Sequence, residues 1–261
     1  MAHGVHQTNG VMPAPKIARD RVAALAASIR AYCAANADHA KAQRWARYFK
    51  EGYDAWGLID KDNPLWHAKQ AEWLEANWDI GIRGFLRLGN LLFASGKFEE
   101  GSLALRFLAT MRDELDAETF PLLGQWFEGI RNWAHTDALC GEVISPLLQD
   151  GVIGLDQVAT WRASHLKYQR RAVPVAMLGL LKTDCDVAPL LDFVRPLMTD
   201  NERVVHQGVG WFLREAWKKQ PEPVEAFFLE WKDQAPRLIY QYATEKMTPA
   251  ARERFRASKR R

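Results

Sequence analysis

Within Asn132-Trp133-Ala134-His135-Thr136-Asp137 an indole and a carboxylate stand four residues apart. On a helix such side chains share a face, one turn from each other. A carboxylate beside an aromatic ring suits any reaction in which positive charge develops on a bound molecule, because the acid attracts the charge and the ring face adds a cation–π surface. A structural reading competes with this one: Asp137 as an acid in a first helical turn facing the helix dipole, and Trp133 as a core side chain. Arg171 and Trp211 weigh against it. They follow at steps of 34 (137 to 171) and 40 (171 to 211) residues, and in an array of helix pairs with about that period all three would fall on neighbouring helices of one face.

The elements that must position these residues are helical. Val22, Leu25, Ile29 and Tyr32 form an apolar stripe at helical spacing in a helix that begins at Lys16. A second helix is predicted over 39–50, with Ala42, Trp45, Ala46 and Phe49 inward and Lys41, Arg44, Arg47 and Lys50 toward solvent or a ligand. A glycine-bearing loop over 52–57 ends it, and Asp62-Asn63-Pro64 caps the next. Further helices are predicted over 64–76, 79–95, 97–114, 117–131, 135–149, 155–166, 169–182, 186–199, 202–219, 221–233 and 236–246. Cap and turn residues such as Ser95-Gly96, Asp150-Gly151 and Asp200-Asn201 separate them, and no alternating β-type run intervenes. Tyr168 to Val173 set under Val204 to Val209 gives a step of 36, as in a solenoid with two helices per repeat. The expected fold is all-α, a superhelix of stacked helix pairs forming one domain over 16–250, between a leader over 1–15 and a basic tail over 251–261.

Composition narrows the function classes. Of 261 residues, 48% are apolar and 26% charged, ordinary for a globular chain, and no stretch approaches the length of a membrane span. Cys33, Cys140 and Cys185 are odd in number, far apart and without metal-type spacing. With no signal-like apolar run, they point to a reducing, cytoplasmic compartment. A formal charge of +3 permits an anionic partner without demanding one. Each of the eleven tryptophans is, taken singly, packing. Phosphate loop, zinc spacing and nucleophile elbow are all absent. His135 reads as a cap-region or surface residue and Cys140 as core.

The chain resembles the bacterial DNA alkylation repair family of HEAT-like repeat glycosylases (the AlkD type) over most of residues 20 to 245. The resemblance is carried by Trp45-Ala46-Arg47-Tyr48-Phe49-Lys50, the stretch from Asn132 to Asp137, Tyr168-Gln169-Arg170-Arg171-Ala172, and Gly208-Val209-Gly210-Trp211-Phe212-Leu213-Arg214-Glu215. It implies a HEAT-like solenoid with a concave DNA-binding groove, and a catalytic cleft formed by Trp133, Asp137, Arg171 and Trp211. Ala134-His135-Thr136 departs from the commoner central motif, Trp-Asp-x-Val-Asp, which leaves the aspartate in place and the substrate range open.

That resemblance implies a monofunctional glycosylase acting as a monomer on duplex DNA that contains alkylated purines. A purine alkylated at N7 or N3 is cationic and leaves with development of an oxocarbenium ion on the sugar. Asp137 would stabilise that ion, Trp133 and Trp211 would line the lesion strand, and Arg171 would hold a phosphate. No cofactor is expected, since departure of a charged base needs neither metal nor redox chemistry. The base would stay stacked rather than flip. Arg44, Arg47, Lys50, Lys167, Arg170, Arg214 and Lys218, with Arg131, Arg203 and Lys219, recur along the array as candidate phosphate contacts, although each singly is an ordinary solvated charge. Two other readings stand beside this one: a noncatalytic DNA-structure binder of the same architecture, and a protein-interaction scaffold.

Overall fold

The computed structural model describes residues 16–58 and 63–258, with side chains of the first helix from Asp20 onward. The leader over 1–15, Asp62 and the last three residues lie outside the described part. Fifteen α-helical segments and no strand occur among the described residues. They are α1 (Lys16–Ala35), α2 (His39–Ala46), α3 (Pro64–Ala76), α4 (Gly81–Ala94), α5 (Phe98–Thr110), α6 (Phe120–Gly124), α7 (Trp133–Leu139), α8 (Ser145–Gln149), α9 (Leu155–Ala159), α10 (Lys167–Ala176), α11 (Ala188–Val194), α12 (Arg203–Lys219), α13 (Pro221–Trp231), α14 (Arg237–Ala243) and α15 (Pro249–Glu253). None is long and apolar enough to cross a membrane.

Packing follows chain order. α1 lies on α4, α4 on α5, α5 on α7, α7 on α10, α10 on α12 and α12 on α14, the nearest-neighbour contact of a helical-repeat solenoid. The even-numbered helices α10, α12 and α14, with α7, make a continuous wall, and α6, α9, α11 and α13 alternate with them in sequence. Several of the alternating helices are shorter than their apolar pattern predicts and finish as 3₁₀ turns, as over Gln125–Glu128 and Arg195–Thr199. The apolar stripe of α1 buries as predicted, with Val22, Leu25 and Ile29 inward, and α12 buries Val205, Val209, Phe212 and Leu213. Each such side chain contributes about 1.5–3 kcal/mol.

Two elements depart from expectation. α2 ends at Ala46 and buries no residue. Trp45, expected inward, is 47% exposed, because α2 stands off the core at the edge of the array. The basic tail is not simply solvated. Arg252 donates to the Met247 and Glu245 carbonyls, Arg254 pairs with Glu225, and Arg256 pairs with Glu253.

Candidate functional site

The central motif opens α7 two residues earlier than predicted. Asn132 is its N-cap, its side-chain oxygen accepting from the His135 backbone N–H at 2.8 Å. Trp133 and Asp137 therefore sit one turn apart, and Asp137 lies beyond the first turn. His135 is buried, which corrects the surface reading. Its Nε2 meets the Phe98 carbonyl at 2.9 Å and Ser102 Oγ at 3.1 Å, and Nδ1 meets the Asn132 amide at 3.0 Å. An Nε2–H donating to the carbonyl and an Nδ1 accepting from Asn132 fit a neutral ring, and burial pushes its pKa down to about 4. This ties the start of α7 to the start of α5. One continuous helix then runs to Gln149 through a π-helical stretch over Cys140–Ile144, a geometry frequent at functional positions. Cys140 is fully buried and its thiol contacts the Ala172 carbonyl.

Asp137 meets Arg171 of α10 in a two-pronged pair, Nε to Oδ1 at 2.9 Å and Nη2 to Oδ2 at 2.8 Å. Arg171 Nη1 donates to the Val204 carbonyl at the start of α12, 2.7 Å away. Burial raises the Asp137 carboxyl above its ordinary value, and the two Arg171 bonds draw it back part of the way. The pair is not sealed: Asp137 keeps 17% of its side chain exposed, whereas Arg171 keeps 6%.

Both residues line an open groove of about 490 Å³ with Trp133, Trp211, Lys50 and Arg214. All four residues of the expected cleft thus come together. Three successive wall helices supply them, α7 giving Trp133 and Asp137, α10 Arg171 and α12 Trp211, and the next wall helix, α14, adds Tyr242. The close approach of α14 depends on Gly210, where a Cβ would stand 2.5 Å from Tyr242 Cβ and 2.7 Å from the Ile239 carbonyl. The opposite lip comes from the turn after α2, where Tyr48, Lys50 and Glu51 face the groove. Phe49 stacks on Trp133 with ring centroids 5.5 Å apart. The loop beyond is held from below by Glu99, fully buried, whose carboxylate accepts from the backbone N–H groups of Trp56, Gly57 and Leu58. Gly57 has φ +84°, and a Cβ there would meet the Asp38 carbonyl at 2.0 Å, so no other residue fits.

The candidate cations divide. Lys50, Arg203 and Arg214 line the groove, though Arg214 is paired with Glu215 and Glu245. Arg44 and Arg47 are exposed on or just after α2, with Arg47 bonded to the Tyr48 hydroxyl. Lys167 lies 3.9 Å from Glu202, Lys218 is paired with Glu215, and Arg131 donates to the Glu128 carbonyl. Arg170 is not placed for phosphate: it is committed to Asp200 at 2.6 Å and to the Ser164 carbonyl, with little exposure. Lys219 turns to the Thr183 carbonyl. Arg171 is likewise corrected, since a guanidinium this buried, with three bonds inside the protein, holds Asp137 rather than reaching out to a phosphate.

Sequence reasoning missed Glu51, Gln207 and Tyr242 as groove residues. Gln207 falls one 36-residue step after Arg171, and its amide donates to the Tyr242 hydroxyl 35 residues further on, at 2.6 Å. The repeat period alone could have found both. Among the described residues, no group of three His, Cys, Asp or Glu side chains is arranged to hold a metal ion.

Residues 29–247 match the sequence profile of the family described as DNA alkylation repair enzyme. The chain belongs to that family. No protein of curated function matches it. Among solved structures it is similar to a protein described as a predicted DNA alkylation repair enzyme from Enterococcus faecalis, with a TM-score of 0.69, 14% identity, and coverage of 82% of this chain and 98% of that one. At that identity the likeness bears on the fold alone: the two chains share the wall of successive helices.

Proposed function

We propose that this DNA alkylation repair protein is a monofunctional glycosylase that acts as a monomer on duplex DNA and hydrolyses the N-glycosidic bond of cationic N7- or N3-alkylpurines. The observation that carries the reading is the Asp137 carboxylate, gripped by Arg171 and exposed along one edge to an open groove between Trp133 and Trp211. As the bond breaks, the electron pair leaves with the purine and cancels its charge, while the sugar becomes an oxocarbenium ion. A carboxylate about 4 Å away contributes roughly 4 kcal/mol at an effective dielectric near 20, before the opposing Arg171 charge is allowed for. The bidentate grip fixes the acid before the substrate arrives, so little reorganisation is needed during reaction. An open groove suits a base that stays stacked in the duplex; Lys50 and Arg203 would meet phosphates along it.

Release of free 7-methylguanine from methylated duplex DNA tests the reading. The wild type should release the base, and Asp137→Asn should lose about 100- to 1000-fold in rate with duplex binding kept. The pairing of both Asp137 oxygens favours a second reading, a noncatalytic DNA-structure binder. Salt-sensitive binding to duplex DNA with no base released would select it.

A further inference from the structure

Glu51 is the second carboxylate of the groove, and it differs from Asp137 in its surroundings. Burial raises the Asp137 carboxyl, but both of its oxygens accept from Arg171, at 2.9 and 2.8 Å, so that neither is free to take a proton from water. Glu51 is exposed, and none of the described cations forms an ion pair with it. It sits in a turn pinned on both sides: Phe49 and Tyr53 stack on each other with centroids 4.7 Å apart, Phe49 also stacks on Trp133, and both pack on Phe98. The turn is thereby fastened to the same indole that flanks Asp137. The Tyr168 hydroxyl of α10 is buried without a hydrogen-bond partner. Its pKa is pushed up to about 12 by burial and by the Glu51 charge, against the pull of Arg171. Glu51 shares the lining of one groove with Asp137 and Arg171. An unpaired acid facing a phosphate-binding surface weakens DNA binding, so its position calls for another use.

We infer, resting on the glycosylase reading, that Glu51 accepts the proton of the water that attacks the sugar. The C1′–N bond breaks with its electron pair going to the alkylpurine. A water oxygen bonds to C1′ in the same step, as oxocarbenium character develops on the sugar, and the proton it sheds passes to Glu51 and on to solvent. Asp137 supplies the field and Glu51 the base, so the two carboxylates divide the work.

Glu51→Gln, assayed on methylated duplex DNA beside the wild type, tests this. The variant should lose roughly 100-fold in base release, the lower range for a general base, while binding duplex DNA at least as tightly. Added azide, a nucleophile with no proton to shed, should restore base release and leave an azido sugar. A rate equal to the wild type, or a loss that azide does not restore, overturns the assignment of Glu51 and leaves the glycosylase reading standing. Absence of base release by the wild type overturns both.

Discussion

Asp137 and Arg171, 34 residues apart in the chain, share two hydrogen bonds of 2.9 and 2.8 Å, and the arginine spends its third on the Val204 carbonyl. One guanidinium thereby joins α7, α10 and α12 beneath the groove. Arg171 is a positioning residue in this arrangement, and its removal leaves Asp137 without the partner that offsets its burial.

Arg171→Ala should therefore destabilise the fold by about 3–5 kcal/mol, the usual cost of stripping one partner from a buried pair, and should also raise the Asp137 pKa further. The slope of DNA affinity against salt should change little. Chemical denaturation and a salt titration of duplex binding, run side by side, check both parts. A slope that falls by about one unit without loss of stability would mean that Arg171 meets a phosphate.

Lys50→Ala and Arg203→Ala should each lower that slope by about one, because both side chains face the groove. Arg170→Ala should leave the slope unchanged and lower stability, since its charge is taken up by Asp200. Fluorescence anisotropy of a labelled duplex across a salt series distinguishes the two kinds of arginine and lysine.

His135 makes stability depend on pH in a known sense. Its folded-state pKa is depressed to about 4 from an ordinary 6.5, so the unfolded chain takes up the proton first. The neutral ring's contribution is complete above pH 6.5 and is lost as pH falls toward 4, amounting to about 3 kcal/mol over the interval. Urea denaturation at pH 7 and pH 5 should show the fall, and His135→Gln should flatten it.

Base release itself should decline on the acid side at a pH above the ordinary aspartate range, because burial raises the Asp137 carboxyl and only its ionised form stabilises the sugar cation. A pH–rate profile of 7-methylguanine release checks this, with Asp137→Asn expected to remove the part of the acid limb due to Asp137 along with most of the rate.

Glu99→Gln should loosen the groove's lip without touching the groove. The buried carboxylate accepts three backbone N–H groups of the 56–58 loop, and an amide cannot accept all three in the same way. The expected loss is about 2–4 kcal/mol, read by denaturation, with faster hydrogen exchange confined to that loop.

Local physics made much of this protein legible from its sequence. Apolar residues at a 3.6-residue period can bury only as helices, so α1 is readable with its inward face, and Asn63 and Pro64 mark the start of α3 through cap chemistry that involves only neighbouring residues. The 36-residue step carries Asp137, Arg171 and Trp211 to one face, because stacked pairs repeat their orientation. Which way a polar side chain turns on that face is decided by partners far along the chain. Arg170 and Arg171 are adjacent and chemically alike; Asp200 captures one and Asp137 the other, and no local pattern distinguishes them. Trp45 has helical spacing with Phe49 yet stays half exposed, on a helix that buries no residue. His135 is neutral and buried because Phe98 and Ser102 of α5 come to it, and Glu51 reaches the groove because Glu99 and the stacked rings fold its loop there. Secondary structure and period follow from short-range geometry; the charge state and reach of each groove residue follow from contacts that exist only once the helices have packed.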